Sequence, residues 1–358
     1  MKSSKRNTSD HEGSVGASSS EEIHLNFDRD SLAATHPIFT QKFWIPTPPI
    51  LTAFKIMART IAVGAPCCAF SGFPRFGKTW AAEYCKKELS KTFPTLPIVL
   101  FIAHDAQRPN KQYFNADALE QIGIGDGKVK RDIDMRRLVV NACWTLAQDK
   151  GSSRLALILD ETQKLKTDEL SWLIDVTNDL QRREVRTTSI LFGQTDLEAR
   201  RTVLRETHRG DILGRFMLRV NPFDGIKSAY ELRQVMCYYD DAHLGETDYP
   251  LGSGCSYTRF FVPVAYENGW RLNAHADACW EQFCAYATTG LRSAKKIQQL
   301  SVGMEYVTGA IREVLTTYGK ENDHAALRIP KAEWREAVEM SGFPDTLGST
   351  YDPPLNSS

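Results

Sequence analysis

The sequence predicts an α/β fold, a parallel sheet wrapped by helices on both faces, with a small C-terminal helical lid domain. Three observations predict it. A complete glycine-rich phosphate loop, Gly72-Phe73-Pro74-Arg75-Phe76-Gly77-Lys78-Thr79, lies between an apolar strand candidate and a helix start. Short apolar runs then alternate with amphipathic segments, as expected of strands buried on both faces. After Asn221-Pro222-Phe223 the alternation stops and helical periodicity takes over.

Taken in order, residues 1–35 are rich in Ser, Gly and charge and poor in large apolar side chains, the composition of a disordered tail. Residues 36–223 are expected to form the core domain, 224–343 the lid and C-terminal helices, and 344–358 a loose tail. His36 to Pro49 mixes aromatics and prolines and is expected to run extended across the core. A helix over Ile50 to Val63 should lead into the first strand. The strand candidates are Cys67–Ser71, Pro97–Ala103, Leu155–Asp160, Thr188–Gly193 and Phe216–Val220. The polar stretch from His104 to Arg131 is longer than an ordinary connection and reads as a functional loop. Helices are expected at 225–240, 272–288, 292–317 and 331–341, interrupted by an irregular aromatic stretch over 248–270.

Composition narrows the class. With 42% hydrophobic and 25% charged residues in 358, the chain reads as a soluble globular protein with ample core. No apolar run approaches the ~20 residues of a membrane span, and the polar start offers no secretory leader. Eight cysteines without a regular framework suit reduced thiols in the cytoplasm. His275, Cys279 and Cys284 match no common zinc spacing and read as packing. The charge balance, 44 basic against 44 acidic, excludes a surface coated with positive charge. It leaves room for a narrow basic stripe of the kind that contacts nucleic-acid phosphates.

The chemistry concentrates in five places. In the loop, Gly72 and Gly77 let the backbone turn its N–H groups toward a phosphate, with Pro74, Arg75, Phe76 and Trp80 completing the binding segment. Lys78 is placed to reach the β- and γ-phosphates of ATP, and Thr79 to put a hydroxyl on Mg²⁺. The run Leu155-Ala156-Leu157-Ile158-Leu159 ends in Asp160-Glu161. Asp160 is the expected holder of Mg²⁺ through water, and Glu161 the group that polarises the attacking water. The fourth strand ends at Gln194, a candidate to sense the γ-phosphate or orient water; the alternative is a helix cap at Thr195 or Asp196. An arginine-dense region then runs from Arg200 to Arg219. A solvated face is the ordinary explanation of such a run; the functional one assigns Arg215, with Arg209 in reserve, to the nucleotide of a neighbouring subunit. Finally, Thr289-Gly290-Leu291-Arg292 reads as a helix start whose Arg292 could touch the γ-phosphate from the lid.

Together these motifs resemble the AAA+ ATPases over residues 45 to 310. Gly72–Thr79 corresponds to Walker A, Leu155–Glu161 to Walker B, Gln194 to sensor 1, Arg215 to the arginine finger and Gly290-Leu291-Arg292 to sensor 2. Within that family the chain is similar to the transposition regulators of the TniB and TnsC type, relatives of MuB. The shared features are His36-Pro37-Ile38-Phe39, Leu159-Asp160-Glu161-Thr162-Gln163-Lys164-Leu165, Gly193-Gln194-Thr195 and Leu213-Gly214-Arg215-Phe216. The resemblance implies ATP and Mg²⁺ as cofactors and head-to-tail homo-oligomers, as a ring or helical filament, around double-stranded DNA. It also implies a bacterial, nucleoid-associated location and two protein partners, a transposase and a target-selection protein that can be RNA-guided. Two clusters are placed to track DNA phosphates without reading sequence: Lys128, Lys130 and Arg131 in the long loop, and Arg182 and Arg183 at the end of the helix after Walker B. Ordinary solvated surface is the alternative for both. Two other functions fit the motifs: an origin-recognition or helicase-loader ATPase, and a nucleotide-switched protein scaffold that needs no DNA.

Overall fold

The computed structural model describes residues 29–41, 43–105, 108–124, 132–290 and 299–348. Five strands form one parallel sheet: β1 (Cys67–Ser71), β2 (Ile98–Ile102), β3 (Arg154–Asp160), β4 (Arg186–Gly193) and β5 (Val220–Pro222), in the order β2-β3-β4-β1-β5. The sheet buries both faces, so its strands read as continuous apolar runs. Alternate residues serve different cores. Phe70, Leu100, Ile158, Ile190 and Phe192 face one side, against helices α1 (Pro48–Ala62) and α2 (Lys78–Thr92). Ala69, Phe101, Leu157, Leu159 and Leu191 face the other. There α3 (Lys111–Gln121), α4 (Asp132–Asp149), α5 (Thr167–Arg182), α6 (Asp196–Glu206) and α7 (Gly210–Phe216) pack.

Strand order positions the site. Because β4 is inserted between β1 and β3, the loops after all three strands meet at one edge. Ser71 lies beside Gly193, and Leu159 beside Leu191, so the phosphate loop and the Asp160-Glu161 pair flank the end of β4. This is the crevice at the carboxyl ends of the strands, where open α/β sheets bind ligands.

The C-terminal helices are α8 (Ala229–Asp240), α9 (Ala276–Gly290), α10 (Met304–Val314) and α11 (Lys331–Met340). They continue the core on the Phe70 face rather than building a separate one. Phe223, Val302, Tyr306, Phe283 and Trp334 join the same apolar cluster.

Several expectations need correction. Residues 210–216 form α7, and the last strand begins only at Val220. Ile212 and Phe216, four apart, are both fully buried, a helical period that overrides the strand-like run. The 104–131 stretch is not all loop. It contains α3, whose N-terminus is capped by Asn110 Oδ1 accepting from Gln112 N and Tyr113 N. Thr289 and Gly290 end a helix rather than start one. A side chain at Gly290 would meet Leu347, its Cβ 2.6 Å from Cδ1. Residues 291–298, with Arg292, lie outside the described residues, and the predicted 292–317 helix becomes α10 from Met304 onward. The 248–270 stretch carries two short helices, Tyr257–Phe261 and Pro263–Glu267. The His36–Pro49 approach holds a helical turn, Pro37–Thr40, before running extended.

Candidate nucleotide site

A cavity of about 320 Å³ opens where the phosphate loop, the ends of β3 and β4, the N-terminal strap (residues 36–41 and 43–47) and α10 meet. Of the predicted residues, Pro74, Arg75, Gly77, Lys78, Thr79, Trp80, Glu161 and Gln194 line it. Gly72, Phe76, Asp160 and Arg215 do not. Phe76 is buried in the core against Phe73. Gly72 packs so closely on the chain after β5 that a Cβ there would come 2.2 Å from the Phe223 carbonyl oxygen. Both serve the loop's shape.

Two residues of the loop have left-handed backbone, Arg75 at φ +65° and Gly77 at φ +91°. For Gly77 this is unstrained. For Arg75 it costs on the order of 1 kcal/mol, and the lid holds it there. The Arg75 carbonyl accepts from Glu305 N (3.3 Å), and its guanidinium stands 3.6 Å from the Glu305 carboxylate. Gly303 permits the approach: a Cβ there would lie 2.9 Å from the Arg75 oxygen. The lid helix seated on the phosphate loop is therefore α10, with Met304, Glu305 and Thr308 on the cavity wall.

Lys78 is buried, its Nζ donating to the carbonyls of Gly72 (2.9 Å) and Phe73 (2.7 Å). Burial pulls its pKa down, while Glu161, Asp160 and Asp196 pull it back up. Asp160 is 1% exposed. Burial pushes its carboxyl up, opposed by the Thr79 side chain and by the Glu161 amide, which donates to Oδ1 at 2.8 Å. Asp160 Oδ2 is buried with no hydrogen-bond partner among the described residues. A lone buried carboxylate oxygen beside a threonine hydroxyl is a hard-oxygen donor set that fits Mg²⁺.

Glu161 begins the turn after β3 with left-handed backbone, φ +56°. Its Oε2 accepts from Gln163 Nε2 (2.9 Å) and lies 3.0 Å from Lys164 Nζ. Gln194 N donates to Gln163 Oε1 (3.2 Å), and Gln194 O accepts from Ser71 Oγ (3.1 Å). Thr195 makes no side-chain cap of α6.

Sequence reasoning missed two groups. Phe43, Trp44, Ile45, Thr47 and Ile50 bring an apolar wall to the cavity opposite Met304, and the Trp44 and Trp80 rings meet edge to face at 5.0 Å. The mixture of aromatics and prolines over 36–49 was the available signal. Gln163 and Lys164 lie beside the Glu161 carboxylate, and their spacing from it on one tight turn was the available signal.

The remaining predicted residues lie elsewhere. Arg215 is half-buried, its Nη2 donating to Asn178 Oδ1 (2.7 Å) and Gln181 Oε1 (3.4 Å) on α5. Arg209 pairs with Asp211 and donates to Ser171 Oγ. Arg182 and Arg183 close α5 at the end of the sheet opposite the cavity. Arg182 pairs with Asp179, and Arg183 donates to the neutral Asn141 amide oxygen. Lys128, Lys130 and Arg131 lie outside the described residues. Cys279 is fully buried, as packing requires. Among the described residues, no helix is long and apolar enough to cross a membrane.

Residues 61–200 match the AAA domain family. No curated protein matches the chain. Among solved structures, the ORC2 protein of Aeropyrum pernix, determined as ADPNP-ADP complexes, overlays with a TM-score of 0.52 at 14% identity, covering 85% of this chain and 71% of that one. PCH-2 of C. elegans overlays at 0.42 with 13% identity, covering 86% and 72% of the two chains. Cdc6p from Pyrobaculum aerophilum overlays at 0.36 with 14% identity, covering 80% and 79%. At these identities the likeness is one of fold, and only the ORC2 overlay is close enough to bear weight. The match to the AAA domain family covers residues 61–200, and the architecture of the chain is the AAA+ phosphate-loop fold.

Proposed function

We propose that this chain is an ATP-hydrolysing switch whose ATP-bound subunits assemble on double-stranded DNA and regulate transposition, linking target selection to the transposase. One observation carries the enzymatic core of this reading. Lys78, Thr79 and Glu161 line one cavity with an apolar wall suited to a base, and the buried Asp160 carboxylate lies behind them, next to the Thr79 side chain.

In this reading Lys78 exchanges the Gly72 and Phe73 carbonyls for phosphate oxygens, and the backbone N–H groups at the start of α2 face the same anion. Thr79 and Asp160 would hold Mg²⁺, which when bound offsets charge on the phosphate oxygens. Glu161 takes the proton of the attacking water, and Gln194 orients that water against the γ-phosphate. Arg215 acts on the nucleotide of a neighbouring subunit, so that turnover depends on assembly. Arg182 and Arg183, with Lys128, Lys130 and Arg131, contact DNA phosphates. Among the described residues Arg183 bonds a neutral amide and no carboxylate, which favours that role.

The transposition assignment rests on the sequence resemblance. A second reading, an ATPase of the origin-recognition kind, is favoured by the ORC2 overlay. Both predict ATP-dependent DNA binding, and DNA sequence preference separates them. Electron microscopy with a non-hydrolysable ATP analogue should reveal ordered oligomers on duplexes of unrelated sequence. Assembly confined to one defined sequence would favour the origin-type reading, and single subunits only, with analogue and DNA present, would refute both.

A further inference from the structure

We infer that Gln163 is a positioning residue that sets the orientation of the Glu161 carboxylate by fastening it to the turn after β4. The inference rests on the ATP-hydrolysis reading above and names a part of that site which the motifs leave unassigned.

The argument starts from the rigidity of the turn. Residues Thr162–Lys164 form one 3₁₀ turn directly after Glu161. Thr162 is fully buried, its Oγ1 donating to the Phe192 carbonyl (2.8 Å), and its own carbonyl accepts from Arg200 Nη1 (3.2 Å). Gly193 makes room for that threonine, since a Cβ at 193 would lie 2.7 Å from Thr162 Oγ1. The backbone carrying Glu161 and Gln163 is thereby pinned to β4.

On this base the Gln163 amide is held at both ends. Its Oε1 accepts from Gln194 N (3.2 Å), which fixes the amide plane and leaves Nε2 as the donor end. Nε2 then donates to Glu161 Oε2 (2.9 Å). A carboxylate held at Oε2 by a fixed donor has one remaining rotational choice, and its other oxygen is directed by that constraint. Lys164 also reaches Oε2, but its side chain is 38% exposed and flexible. An exposed ammonium is screened and adds little orientation. Among the described residues, Gln163 alone joins the general base to the backbone of the residue placed to sense the γ-phosphate. A displacement of Gln194 is therefore passed to Glu161 through one amide.

The test is steady-state ATP turnover with nucleotide binding on Gln163→Met and Gln163→Glu, each alone and combined with Glu161→Gln. Methionine matches the length of glutamine without its hydrogen bonds. Glutamate keeps the acceptor for Gln194 N and loses the donor to Glu161. Both should lower kcat between about tenfold and a hundredfold, the cost of misplacing a reacting group. KM for ATP, ADP affinity and the thermal midpoint should stay near wild type. In the Glu161→Gln background, adding either change should lower the residual turnover by less than about twofold, because no carboxylate is left to orient. Unchanged kcat in both variants, or equal losses in both backgrounds, would overturn the inference. A wild-type chain that neither binds nor turns over ATP overturns the underlying reading and this inference with it, and shows itself before any variant is compared.

Discussion

Replacing His36 by Asn tests how the N-terminal strap is held against the rest of the molecule. His36 is 0% exposed and sits among Tyr249, Tyr257, Phe260 and Phe261, with ring centroids between 4.5 and 4.8 Å. Its Nδ1 accepts from Ile38 N (3.1 Å), and its Nε2 is buried without a partner. Among the described residues no carboxylate compensates a charge in that cage, and burial lowers its pKa from 6.5 to about 3. The sign follows from proton linkage. The unfolded chain takes up a proton below about pH 6.5 and the folded chain does not, so His36 holds its stabilising contribution above that pH and loses it as pH falls toward about 3. Between about pH 7 and about pH 5 the loss is about 2 kcal/mol, from roughly 1.4 kcal/mol per pH unit below 6.5. Asparagine keeps an acceptor for Ile38 N but does not titrate. Urea unfolding followed by tryptophan fluorescence at the two pH values should show wild type losing about 2 kcal/mol more than His36→Asn. Equal losses in the two proteins would refute the account of a neutral, caged histidine, whatever the absolute stability of the variant.

The other predictions concern the cavity. Glu161→Gln should retain ATP binding while reducing turnover to a small residual rate, and should trap assemblies on DNA; sedimentation with ATP checks this, and rapid disassembly by the variant would contradict it. Gly193→Ala should destabilise the fold by about 1–3 kcal/mol, because its Cβ would push on the buried Thr162 hydroxyl; a thermal midpoint equal to wild type counts against the packing described. Trp44→Ala should weaken nucleotide binding about tenfold by removing part of the apolar wall, as fluorescent-nucleotide titration would detect; an unchanged Kd would mean the base lies elsewhere.

How much of this was legible in the sequence follows from the range of the interactions involved. β1 and the phosphate loop are local: an apolar run, a glycine turn and a helix start specify themselves, and β1 falls on the predicted Cys67–Ser71. The Asp160-Glu161 pair was equally readable, because an apolar run that ends in two adjacent carboxylates is a local pattern, even though Asp160 is itself the last, buried residue of β3. Residues 216–220 were misread because Phe216 and Val220 are apolar and four apart, a spacing that a short helix followed by a strand also satisfies. Gly290 was misread as a helix start, since its requirement for no side chain comes from Leu347, 57 positions away in the chain. The same distance problem hides the apolar wall of the cavity. Trp44 and Met304 face one cavity only because α10 docks on the Arg75 carbonyl, a contact no local pattern announces.

The most direct measurement of the central claim is ATP retention together with self-association. Purified protein would be equilibrated with ATP, with a non-hydrolysable analogue or with no nucleotide, and its mass followed by light scattering during size-exclusion chromatography. The account predicts that wild type retains nucleotide and shifts to larger assemblies with the analogue, and that Lys78→Ala does neither. A wild-type chain that retains no nucleotide, or whose mass is the same in all three conditions, would contradict it.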